Sequence, residues 1–236
     1  MTHTVDTAQR KAATVAGLAF LISFVSVVVV SFSIFFPLID PANAAETAQR
    51  VLAHERLFRL GIMGYLVNCV GLVVLLAALY VILRPLNEHL ALLVAVGRLV
   101  QTFTWIVVTL NLFTALHVLN DADYVRAFGA TQLAALARPY LNAWDTYYVG
   151  LLFWALSSAV ASYLWFRSNY VPHALAVFGV MSSAWCAACT LVFYVFPDFA
   201  NVVNLWWFDS PLVVFELALS LWLLFKGLTP ALVENN

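Results

Sequence analysis

Apolar residues in this chain fall in long unbroken runs, not in alternating or one-sided patterns. Six runs can be read, over 12–38, 60–83, 90–118, 143–166, 174–196 and 211–228. At 1.5 Å per residue each is long enough to cross a hydrocarbon core of about 30 Å. Backbone groups in lipid must bond within their own segment, so runs of this kind predict helices. A membrane barrel would need strands of about ten residues with alternating polarity, and these runs do not alternate. Polar residues mark the ends: Arg10 and Lys11 precede the first run and Pro37 lies near its close. Arg84 and Pro85 close the second, and the fifth sits between Pro172 and Pro197. The pattern predicts an all-α fold, a single integral membrane domain over 1–236 built as a bundle of six transmembrane helices.

Two connectors are longer than turns. The stretch from Ala44 to Leu52 is rich in helix formers, with Asn43 placed as its N-cap, and the stretch from Thr131 to Arg138 is similar. Both are expected to be short interfacial helices on the outer side.

Composition narrows the class. Of the 236 residues 64% are hydrophobic and 10% charged, and the mean hydropathy is +0.93. Soluble domains carry about 25% charged residues, so disordered chains, coiled coils and ordinary soluble enzymes are excluded. The net charge of -1 presents no basic surface to phosphates, so no nucleic-acid partner is expected. Membrane lipids are the expected surroundings. Ala42-Asn43-Ala44 after a basic start and an apolar run imitates a signal peptide. The run is far longer than the roughly 7–15 residues of a signal core, so an uncleaved helix is expected. Arg84 and Arg167 lie in short turns, whereas Arg50, Arg56, Arg59, Arg126 and Arg138 lie in or beside long connectors. Short loops carry the orientation signal, so both termini are expected on the cytoplasmic side of the cell membrane.

Candidate chemistry comes from the exceptions to the apolar pattern. Arg98 and Glu216 lie deep inside the third and sixth runs, where charge costs about 2.5–3.5 kcal/mol on insertion scales. Arg98 is ten residues past Glu88, and Glu216 is ten before Lys226, so both sit roughly 15 Å from the same boundary. A salt bridge between the two helices is geometrically possible. Gln101, Thr102, Trp105 and Thr109 return to the face of Arg98 and form a polar stripe. Asn68 has a similar depth and can complete the network. Gly61, Gly64, Asn68 and Gly71 share one face, which permits close helix approach. Two readings stand side by side: a buried ion pair that fixes helix register, and the lining of a cavity for a hydrophobic or lipid-like small molecule.

Other residues change the picture less. Trp185-Cys186-Ala187-Ala188-Cys189 imitates a redox motif, but it lies in mid-helix on a face of small residues, as in close-packed membrane helices. The histidines lack the i, i+4 spacing of a helical zinc site, so no metal is expected. His117, Asp145 and Tyr148 form an outer rim, where an acid beside phenols can donate a proton. No nucleotide loop or nucleophile elbow is present, and no cofactor is expected.

Arg56 to Ile62 at the start of the second run, Leu83 to Asn87 at its end, Leu90 to Leu93, Arg98 to Gln101, Phe166 to Pro172, Glu216 to Leu224 and Lys226-Gly227 occur in an order that resembles a known family. It is the bacterial six-helix membrane family catalogued as domain of unknown function 4386. The resemblance implies the fold and a bacterial membrane location, and no chemistry. Three functions stay open: a module binding a hydrophobic or lipid-like molecule near Arg98 and Glu216, a membrane enzyme acting on a lipid or isoprenoid with Glu216 or Asp145 as acid, and a small transporter. The last lacks any internal repeat.

Overall fold

Continuous apolar sequence leaves the backbone no partner but itself, and the chain is accordingly helical. The computed structural model describes residues 5–142 and 144–229, with the side chains of Val125, Trp144 and Asp145 outside the described set. The helices are α1 (Thr7–Leu38), α2 (Ala44–Ala53), α3 (Glu55–Leu83), α4 (Glu88–Asn120), α5 (Ala122–Ala127), α6 (Ala130–Leu141), α7 (Trp144–Ser168), α8 (His173–Val195) and α9 (Trp206–Phe225). A 3₁₀ turn, Pro197–Asn201, precedes α9. Among the described residues there is no strand. Helices α1, α3, α4, α8 and α9, and the stretch that ends in α7, are long and apolar enough to cross a membrane. Large apolar side chains such as Leu60, Met63, Met181 and Val195 point outward. An apolar exterior suits lipid as the solvent.

Local signals set the ends. Asn43 accepts the backbone N–H of Glu46 and caps α2. Pro85 disfavours helical geometry just before it, and α3 stops at Leu83. Asn169, in the left-handed region at φ 57°, turns the chain out of α7, and Gly227 at φ 71° closes α9. The last helix differs from expectation: it starts at Trp206 and runs through Pro211 instead of starting there. Pro211 has no N–H for the carbonyl of Trp207, four residues back. That carbonyl accepts the indole N–H of Trp185 on α8 at 2.8 Å, so the helix continues without an orphaned group. In α1 the turn Ser31–Phe35 is π-helical, just ahead of Pro37.

Contacts group the chain into two compact units, each with its own core. The first is drawn from Met1–Leu21, Gly71–Thr102 and Tyr148–Asn236. Trp165, Tyr170, Phe208 and Phe215 are fully buried in it. Gln9 donates to the carbonyl of Ile82 at 3.1 Å and to the Tyr170 hydroxyl at 3.2 Å. Gly97 on α4 lies so close to α7 that a Cβ there would stand 2.9 Å from the Cβ of Ser157.

The second unit is drawn from Ile22–Val70 and Phe103–Tyr147. Its centre is aromatic. Tyr65 packs on Phe35 (centroids 4.8 Å) and Trp105 (5.2 Å), and its hydroxyl shares a 2.9 Å hydrogen bond with Ser31. Small residues bring α1 and α3 together here: Ser26 donates to the carbonyl of Gly64 at 2.7 Å, and a Cβ on Gly61 would meet Phe35 at 2.7 Å. Helices α2 and α6 belong to the same unit, where Arg138 donates to the carbonyl of Pro41 at 3.1 Å.

Candidate functional site

The polar centre of the first unit is made by α4, α7 and α9. Helix periodicity places Arg98 and Gln101 one turn apart on α4, and Trp154 and Ser158 one turn apart on α7. Glu216 faces them from α9. Gly97, beside Arg98, removes the side chain that would hold α7 away.

Arg98 and Glu216 form a two-pronged ion pair. Arg98 Nη2 donates to Glu216 Oε1, and Arg98 Nη1 donates to Oε2 at 3.2 Å. Glu216 Oε1 also accepts the indole N–H of Trp154 at 2.7 Å and the hydroxyl of Ser158 at 2.6 Å. Arg98 Nη2 reaches Ser158 Oγ at 2.9 Å, and Nη1 reaches Gln101 Oε1 at 3.3 Å. The two charged side chains are 5% and 3% exposed. At that depth an isolated charge is prohibitive, whereas a paired, hydrogen-bonded one is tolerated. A planar guanidinium fits a carboxylate in this fork geometry better than a lysine ammonium would.

The remaining predicted residues lie elsewhere. Thr102 and Thr109 turn their hydroxyls back onto the carbonyls of Arg98 and Trp105, both at 2.8 Å. Asn68 and Trp105 belong to the second unit. The carbonyl of Asn68 accepts from Ser23 there, and Trp105 packs between Tyr65 and Tyr147. His117 is exposed, with its ring against Phe113, and Tyr148 packs on Phe193 of the first unit. The side chain of Asp145 lies outside the described residues. Cys69, Cys186 and Cys189 are buried free thiols. Among the described residues no three His, Cys, Asp or Glu side chains gather as metal ligands.

Trp154 and Ser158 are members of the cluster that the sequence reading missed. A signal existed: Trp154, Ser158 and Ser162 recur at every fourth position of the fourth run. Two pockets, of about 360 and 230 Å³, lie by the α3–α4 turn, and neither is lined by Arg98 or Glu216. The arrangement holds three helices through one carboxylate. General acid catalysis would need a proton on Glu216 and a substrate within hydrogen-bond reach of it.

The sequence model of the family described as domain of unknown function (DUF4386) matches residues 15–227. No curated protein and no solved structure matches the chain.

Proposed function

Since this chain belongs to the family described as domain of unknown function (DUF4386), we propose that it is a multi-pass membrane protein acting as a binding or interaction module, in which Arg98–Glu216 ties α4, α7 and α9 together. The observation that carries this reading is the filling of Glu216 Oε1 by three donors, from Arg98, Trp154 and Ser158, at 3% exposure. A carboxylate so occupied has its partners inside the protein. Both termini belong on the cytoplasmic side, as the arginines of the two short turns favour.

The test separates a tie from a ligand cradle. Arg98→Met strands a buried carboxylate, and Glu216→Gln strands a buried guanidinium. Each is expected to lower thermal stability in detergent by about 3–5 kcal/mol. Arg98→Met with Glu216→Gln removes both charges and leaves an acceptor for Trp154. It is expected to recover most of the loss. A double variant no more stable than the singles would sink the tie.

One observation favours a second reading, that a hydrophobic or lipid-like small molecule binds beside the pair. Arg98 Nε is buried and has no hydrogen-bond partner among the described residues. A ligand oxygen there would satisfy it. In that case native mass spectrometry of the purified protein would show a bound molecule that the folded double variant lacks.

A further inference from the structure

The smaller of the two pockets has a composition that the ion-pair cluster does not explain. It lies between the α3–α4 turn and the end of α7, open on one side, and its volume is about 230 Å³. Among the described residues Arg167 is the one charged residue lining it. Arg84 nearby is committed to Glu88 at 3.2 Å, but Arg167 has no acidic or hydrogen-bonding partner among the described residues. Two further donors line the same pocket. Asn87 spends its side-chain oxygen on the backbone N–H of Leu90 at 3.0 Å, which leaves its amide NH₂ available. The exposed Tyr163 hydroxyl has no partner among the described residues. Leu86, Leu90 and Leu164 supply the apolar wall.

Three unpaired donor side chains and three leucines lining one pocket at the end of a membrane span match a phosphate that carries acyl chains. Successive spans alternate in direction, so the ends bearing Arg10, Lys11, Arg84, Arg167 and Lys226 share one side of the membrane. Against these stand Asp6 and Glu88 among the described residues. Such an excess attracts anionic lipid. Neither acid lines this pocket to receive a choline: Glu88 is paired with Arg84, and Asp6 accepts the backbone N–H of Gln9 at 2.7 Å.

We propose that this pocket holds the phosphate of an anionic glycerophospholipid, with Arg167 as its counter-ion, Asn87 and Tyr163 as further donors, and the leucines against the acyl chains. The site is independent of the Arg98–Glu216 tie.

The test uses the full chain in nanodiscs of phosphatidylcholine containing one-tenth phosphatidylglycerol, with retained lipid counted by native mass spectrometry. Wild type is expected to retain phosphatidylglycerol in preference to phosphatidylcholine. Arg167→Gln is expected to lower that preference about fivefold, the ratio corresponding to roughly 1 kcal/mol per basic residue. Lys11→Gln makes the same change of charge on the same side, outside the pocket, and is expected to leave the preference nearly intact. Equal losses in the two variants would mean diffuse attraction and overturn the site. Inorganic phosphate in excess is expected not to displace the lipid; displacement would make the occupant free phosphate and overturn the lipid assignment. Should Arg167→Gln fail to fold, the Asn87→Ala, Tyr163→Phe double variant replaces it. A preference unchanged in that variant likewise overturns the proposal.

Discussion

The two units of this protein solve the same problem with different chemistry. One is centred on an ion pair, Arg98–Glu216, fed by an indole and a hydroxyl. The other is centred on Tyr65, Phe35 and Trp105, with a neutral hydroxyl pair, Tyr65–Ser31, at its heart. In lipid neither gains much from simple apolar burial, because the surroundings are as apolar as the core. What remains is packing and directed polar contact. A charge pair is indivisible, since removing one half leaves the other exposed to low dielectric. An aromatic cluster loses contacts in proportion to what is removed. The first unit should therefore fail abruptly and the second gradually.

The largest expected effect breaks the first centre. Arg98→Met or Glu216→Gln alone should cost about 3–5 kcal/mol, read as a fall in the thermal unfolding midpoint and as lost monodisperse protein on size exclusion. The next tests packing beside the same centre without touching its charge. Gly97→Ala would place a Cβ 2.9 Å from that of Ser157. Overpacking of that kind costs about 1–3 kcal/mol. If Gly97→Ala cost as much as Arg98→Met, close helix approach and not charge would be what holds the unit. Tyr65→Phe keeps the aromatic packing of the second unit and removes its hydroxyl pair. Interhelical hydrogen bonds in membranes average about 0.6 kcal/mol, so a small shift in midpoint is expected. A loss above that of Gly97→Ala would show that the second unit also hangs on a polar contact.

How much of this was legible beforehand depended on rarity. Arg98 and Glu216 stood out because charge inside an apolar run is uncommon, and equal offsets from Glu88 and Lys226 gave them equal depth. Trp154 and Ser158 carried no such mark. Tryptophan and serine are ordinary in membrane helices, and only the approach of α9 makes them donors to a carboxylate. Asn68 and Trp105 show the converse. Periodicity states which face a residue occupies but not which neighbours that face meets. Helix α4, from Glu88 to Asn120, contributes residues to two cores, and Trp105 packs on Tyr65 and Tyr147 of the second. The start of α9 was obscured for a similar reason. Pro211 reads as a boundary, and the indole of Trp185 that makes it tolerable comes from another helix.

The smallest effect sharpens the comparison most directly, because it removes an ion pair from water instead of from the core. Glu46 and Arg50 pair across one turn of α2, with side chains 44% and 39% exposed. The residue types match those of the buried pair, but here each charge keeps its hydration if the other is lost. Pairs of this kind contribute about 0.3–0.5 kcal/mol and weaken with salt. Glu46→Gln should therefore move the unfolding midpoint barely, and the difference from wild type should vanish at high salt. Glu216→Gln should keep nearly its full effect under the same salt, since no ion reaches a carboxylate sealed by Arg98, Trp154 and Ser158. Parallel salt dependence in the two variants would mean that water reaches Glu216, and the contrast between the charged centre and the rest of the protein would disappear.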